Sequence, residues 1–159
     1  MNFAKMYASI VLGFELLLSR TDGDKLCSCY SFNNKSFGWT WPQAMGSCQN
    51  RKKTLVMMET EREWEFIKNE IQNRVGSKNG EWFIGLERNI TTGNWTWING
   101  KPLTIDKWQG SNPDPNDFYG MIHEKFGFYG SFSTVKVEVQ RGWICEEETG
   151  IDHPQAKSG

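Results

Sequence analysis

A chain of 159 residues with 38% hydrophobic and 14% aromatic side chains carries enough apolar material for one packed domain and is too short for two. Its 18 basic and 19 acidic residues leave a net charge of −1, distributed along the chain. That balance excludes the clustered basic face of a nucleic-acid binder and polybasic attraction to membranes, while the composition excludes disordered and collagenous classes.

The chain opens on a leader-like segment. Met1–Lys5 is short and singly basic, Met6–Phe14 and Leu16–Leu18 are mostly apolar with Glu15 between them, and the polar run Ser19–Asp24 follows. The apolar part is too short to cross a bilayer, so residues 1–19 read as a signal peptide. The mature chain is then expected to be secreted or on the extracellular face, with no membrane span after processing. Three glycosylation acceptor triplets agree with that route: Asn34-Lys-Ser36, Asn89-Ile-Thr91 and Asn94-Trp-Thr96.

Four cysteines, Cys27, Cys29, Cys48 and Cys145, are expected to pair in an oxidising compartment. Cys27 and Cys29 are two apart, so they form a strained bridge, stay reduced, or pair with another chain. Zinc does not fit this spacing, and the only histidines, His123 and His153, lie far down the chain.

In chain order, Ser28–Phe32 reads as a strand. Thr40 is an N-cap with Pro42 in the first turn of a helix over Trp41–Asn50. Thr54–Met58 reads as an apolar strand. Thr60 to Glu63 has capping-box spacing, and Trp64, Ile67 and Ile71 recur at helical intervals towards Arg74. A loop over Val75–Gly80 precedes Trp82-Phe-Ile-Gly-Leu86 and Asn94-Trp-Thr-Trp-Ile-Asn-Gly100, which read as an aromatic strand, loop, strand and turn. Strand alternation puts Trp95 and Trp97 on one face, with Thr96 and Ile98 on the other. From Gln109 to about Ser133 the chain reads as a long irregular stretch rich in Gly, Asn, Asp and Pro, the kind of loop that carries function. Val135–Val139 and Gly142–Glu146 read as strands, and residues 148–159 as a disordered tail.

This order of elements resembles the C-type lectin-like domains, nearer to the calcium-independent branch of natural-killer-type receptors than to the calcium-dependent lectins. The likeness rests on Cys29-Tyr30, on Trp41-Pro-Gln-Ala44 leading to Cys48, on Glu63 with Phe66-Ile67, and on Phe83-Ile-Gly-Leu86. It continues through Asn94–Gly100, Trp108 and Trp143-Ile-Cys145-Glu146, covering residues 27–147. It implies an α+β fold of two helices with small antiparallel sheets and a long loop region, and it implies that Cys48 pairs with Cys145. The family's second bridge is missing: Phe118 and Val137 stand where its cysteines fall, and apolar packing is expected to replace it.

The family's calcium site is half present. Asn112-Pro113-Asp114 falls where many members carry a proline-centred triplet whose proline is typically cis, and Asn116 and Asp117 add oxygens. The position of the family's Trp-Asn-Asp reads Phe132-Ser133-Thr134. Calcium takes 6–8 oxygens, so Asn112 and Asp114 are incomplete metal candidates and no cofactor is required. Of the loop aromatics Phe118, Tyr119, Phe126, Phe128, Tyr129 and Phe132, most are expected in the core and one or two on a contact surface.

No opposed acid pair or nucleophile arrangement stands out, and His123 reads as a solvated loop residue, so an enzyme is not expected. The expected function is a binding module for a cell-surface or extracellular protein or glycan, with Asn112, Asp114, Asn116, Asp117 and Tyr119 as the candidate ligand face. The alternative is a calcium-dependent lectin using the Asn112-Pro113-Asp114 loop.

Overall fold

A computed structural model describes residues 10–11, 14–15, 17–20, 26–34, 38–72, 80–125 and 127–150. Helix α1 (Trp41–Gln49) starts after Thr40, whose backbone N–H donates to Gln43 Oε1 at 3.0 Å. It buries Trp41, Ala44 and Cys48, spaced to share one helix face. Helix α2 (Glu61–Gln72) has the reciprocal cap expected of Thr60 and Glu63. The Thr60 N–H donates to Glu63 Oε2 at 3.0 Å, and the Glu63 N–H donates to Thr60 Oγ1 at 3.2 Å. Its buried residues are Ile67 and Ile71, one turn apart.

Strands β1 (Ile10–Val11) and β2 (Phe14–Glu15) form a small ladder. The main sheet contains β3 (Leu17–Arg20), β4 (Leu26–Asn33), β5 (Thr54–Leu55), β6 (Glu81–Arg88), β7 (Trp95–Trp97), β8 (Tyr119–His123), β9 (Phe132–Val135) and β10 (Gly142–Gly150). Its order is β3-β4-β10-β6-β8-β9, with β5 added to β10 and β7 to β6. β10 runs antiparallel to β4 and parallel to β6, so the sheet is mixed rather than purely antiparallel. The architecture is the α+β one expected.

β3 lies within and just beyond the leader-like segment and pairs with β4, Leu17 opposite Tyr30. At the other end β10 runs to Gly150, three residues into the segment read as tail. Its backbone continues pairing with β4 through Glu148 opposite Ser28 and Gly150 opposite Leu26. Residues 151–159 lie outside the described residues.

Both faces of the central strands are buried, and alternate residues serve different cores. On β6, Phe83 joins Trp41, Ala44, Cys48, Leu55 and Trp143 under α1, whereas Ile84 and Leu86 join Ile67, Ile71, Trp97 and Phe132 under α2. β10 repeats the pattern with Trp143 and Cys145 on the first side and Ile144 on the second. A disulfide between Cys48 and Cys145 closes the α1 side, with Cα atoms 5.6 Å apart. Gly85 is required by a close backbone approach, since a Cβ there would sit 2.8 Å from the Leu55 carbonyl oxygen.

Trp95 and Trp97 share a face as expected. Trp97 is buried edge-on to Phe132, and Trp95 lies edge-on to Trp108 at 5.3 Å. Two strand readings need correction. The stretch from Gln109 to Ser133 holds β8 and the start of β9; its glycines serve packing and turning, with Gly120 against Leu86 and Gly127 and Gly130 at φ 87° and 73° in the connecting turn. Conversely, β9 ends at Val135, and Lys136–Glu138 are exposed. Val139 N–H bonds back to the Lys136 carbonyl at 3.4 Å, so the alternating valines trace a turn into β10.

Candidate ligand-binding face

The loop between Trp108 and β8 folds onto one side chain of β9. The Asn112–Pro113 peptide bond is cis. Asn112 Oδ1 accepts the Thr134 N–H at 3.0 Å, while its Nδ2 donates to the Gln109 carbonyl at 2.9 Å. The Asp114 N–H donates to Thr134 Oγ1 at 3.1 Å, and Thr134 Oγ1 also lies 3.1 Å from Asn112 Oδ1 and 2.8 Å from Asp117 Oδ2. A hydroxyl has one proton to give. It goes to Asp117, the nearer and charged acceptor. Thr134 and Asp117 are each 8% exposed, so this network is sheltered from water.

Of the candidate ligand residues, the structure thus gathers Asn112, Asp114 and Asp117 around Thr134. Asn116 is exposed and bonds Asp114 Oδ1 through its backbone N–H at 2.8 Å and its Nδ2 at 3.1 Å. Asn112 Oδ1 and Asp117 Oδ2 are turned onto the threonine, and Asp114 Oδ1 is held by Asn116. Among the described residues no group of three or more His, Cys, Asp and Glu side chains is placed to hold a metal. The resemblance already put Thr134 at the family's ligand position; its role as the hub of the loop is visible only in three dimensions.

Tyr119 is set apart from this hub. Its ring stacks on Trp41 with centroids 4.2 Å apart, and burial and the neighbouring Glu87 raise its phenol pKa. With Phe118 it lines a groove of about 330 Å³, completed by Glu87, Arg88, Asn89, Ile90 and Thr91. Arg88 fixes the groove to the loop, its Nη1 donating to the Pro115 carbonyl at 2.5 Å. Apolar packing does not replace the missing second bridge: Phe118 is 36% exposed and Val137 44%, and both lie outside the core clusters. The turn after Val135 carries Val137 to the surface. Among the other loop aromatics Phe132 is core, Phe128 and Tyr129 are exposed, and Phe126 lies outside the described residues.

His123 is not the solvated loop residue expected. It is buried on β8, where pairing with the β9 side brings Ser133 Oγ to 2.6 Å from its Nε2. Glu81 Oε1 lies 3.8 Å from Nδ1, and the other Glu81 oxygen is bound by Arg141 Nε. Burial lowers the His123 pKa against the opposing pull of Glu81, with Lys125 and Arg141 adding to the lowering. The serine, histidine and acid sequence looks like a hydrolytic triad, but Ser133 is buried within the sheet and cannot meet a substrate.

The Lectin C-type domain family matches residues 38–147, most of the chain, and the protein belongs to that family. It is a non-enzymatic binding module. Mouse C-type lectin domain family 4 member E is 29% identical over 126 residues, covering 75% of this chain and 55% of that protein. Mouse killer cell lectin-like receptor subfamily B member 1A is 27% identical over 110 residues, covering 69% of this chain and 44% of that one. The chain therefore spans about half the length of these relatives. Among solved structures, the Ca2+-independent C-type lectin SPL-2 from Saxidomus purpuratus superposes with a TM-score of 0.66 at 24% identity, over 76% of this chain and 86% of that one.

Proposed function

We propose that this chain is the recognition domain of an extracellular protein and binds a protein or glycan ligand without a calcium cage. Export through the leader-like residues 1–19 and glycosylation belong to the same reading. The observation that carries it is the Thr134 hydroxyl, bonded where an ion's ligands converge. The Thr134 hydroxyl donates to Asp117 and the Thr134 backbone N–H donates to Asn112, so the loop holds its shape by internal hydrogen bonds. The exposed side chains of Asp114 and Asn116, at the loop tip, are then the contact groups. Asn112 and Asp117 position them from behind. A killer cell lectin-like receptor and a Ca2+-independent lectin among the similar proteins agree with this reading.

Thermal melting with and without calcium tests it. An ion at a hundredfold over its Kd stabilises a folded protein by about 2.7 kcal/mol, a shift of roughly 5–10 °C for a domain of this size. The expected result is an unchanged melting point in millimolar calcium and in chelator. A shift of that size, abolished by Asp114→Ala, would instead establish the calcium-dependent lectin.

A further inference from the structure

The groove beside the loop has an unusual lining. Three of its residues, Asn89, Ile90 and Thr91, are a complete glycosylation acceptor triplet, and they face Phe118 and Tyr119. We propose that Asn89 carries an N-linked glycan whose first N-acetylhexosamine lies in this groove against the Phe118 ring. The proposal rests on the extracellular reading above, because the transfer takes place in the secretory route.

Asn89 is the first residue after β6 and sits in a tight turn. Its N–H donates to the Asn94 carbonyl at 2.8 Å, and its carbonyl accepts the Gly93 N–H at 2.7 Å. Its Oδ1 accepts the N–H groups of Thr91 at 2.9 Å and Thr92 at 3.0 Å. The side chain is exposed, its oxygen is held inward, and Nδ2 has no hydrogen-bond partner among the described residues. Nδ2 is thus the outward end of the amide. In glycosyl transfer this nitrogen bonds to C1 of an oligosaccharide carried on a polyprenyl diphosphate. The C1–O bond breaks, the diphosphate leaves with the electron pair, and Nδ2 gives up one proton to the transferring enzyme.

The neighbouring triplet is built differently. Asn94 leads directly into β7, where Thr96 pairs opposite Glu87. An extended backbone rises about 3.3 Å per residue, which holds the Thr96 hydroxyl away from the Asn94 amide. The carbonyl of Asn94 also closes the Asn89 turn. Of these two triplets, Asn89 has the geometry of an acceptor.

The groove itself suits a sugar. A pyranose offers a polar rim and one apolar C–H face, and Phe118 presents an exposed ring with Ile90, 81% exposed, beside it. Glu87, Thr91 and the Tyr119 phenol supply acceptors and donors around that apolar strip. A volume near 330 Å³ lies at the small end of ligand sites. A sugar tethered at the groove wall has an effective concentration in the millimolar range, so weak stacking suffices to hold it.

The test is the full chain expressed in secreting mammalian cells, with glycopeptides mapped by mass spectrometry. Asn89 is expected to be occupied and Asn94 bare, with Thr91→Ala removing the Asn89 glycan. Complete enzymatic deglycosylation of the folded protein is expected to lower the melting point by about 2–4 °C, and trimming to a single N-acetylglucosamine is expected to leave it unchanged. In Phe118→Ser, deglycosylation should produce no shift. Secreted protein with bare Asn89 overturns the proposal and leaves the extracellular reading standing. Protein retained unmodified in the cytosol overturns both. An occupied Asn89 whose removal shifts wild type and Phe118→Ser equally overturns the docking of the sugar.

Discussion

The α1–β10 half of the domain and the Trp108–Phe118 loop are closed in opposite ways. The first is held by buried side chains on both faces of the sheet and by a disulfide spanning 97 residues of sequence. The second has no crosslink among the described residues and an exposed Phe118; it is closed by hydrogen bonds centred on Thr134, with Arg88 bound to the Pro115 carbonyl. Apolar closure tolerates many sequences of the right volume, whereas polar closure depends on individual atoms. The scaffold can therefore tolerate substitutions that the loop cannot.

The largest way to break this contrast is to remove the staple. Replacing Cys48 and Cys145 together by alanine frees a loop of about a hundred residues in the unfolded chain, costing about 4–5 kcal/mol in the chain-entropy account. That corresponds to a fall of roughly 10–20 °C in melting point. Because the loop does not hang from the disulfide, amide exchange at residues 109–118 should keep its rank order relative to the rest of the sheet. Selective loosening of that loop would show that the staple holds both regions.

Thr134→Val probes the other region with a smaller cost. The methyl fills the space of the hydroxyl, but the buried Asp117 carboxylate loses its donor and the Asp114 N–H its acceptor. An unsatisfied buried group costs about 1–3 kcal/mol, more when charged, so a loss of about 2–3 kcal/mol is expected in denaturant melts. Hydrogen exchange should rise first at Asp114 and Asp117 and leave α1 and β10 protected. A neutral variant, within about 0.5 kcal/mol, would remove Thr134 as the hub.

The two regions were unequally legible in the sequence. Helix caps and the Trp95 and Trp97 alternation follow from local periodicity and spacing, and both appear in the structure, whereas the Ile-Gly-Leu segment is marked by the family resemblance. β8 and β9 were hidden because their flanking glycines and polar residues imitate a loop, while the strands are stabilised by partners distant in sequence. The Lys136–Glu138 stretch failed the other way: its alternation is local, but no strand forms where the backbone turns. The Asn112 triplet was visible as a motif. Its engagement by Thr134, twenty-two residues on in sequence, depends on β9 register, which no local pattern encodes. His123 was misplaced for the same reason.

His123 offers the finest test, because it joins β8 to β9 behind the loop while remaining outside the loop network. Its imidazole is buried against Ser133, with Glu81 favouring the charged form and Lys125 and Arg141 opposing it. Burial dominates, so the folded protein binds this proton less readily than the unfolded chain, where the group keeps its ordinary value of 6.5. The sign follows from proton linkage: the unfolded state takes up the proton first as pH falls. The neutral histidine's contribution is complete above pH 6.5 and is lost as pH falls through the lowered folded-state value. Melting points measured from pH 7.5 to about pH 5, above the range where most carboxylates titrate near 4, should therefore decline in wild type. In His123→Gln, which keeps a neutral hydrogen-bonding side chain opposite Ser133, that decline should flatten while the response to calcium stays nil. An equal acid decline in both proteins would place the titrating group elsewhere, and Glu81 with Arg141 would then be the pair to substitute.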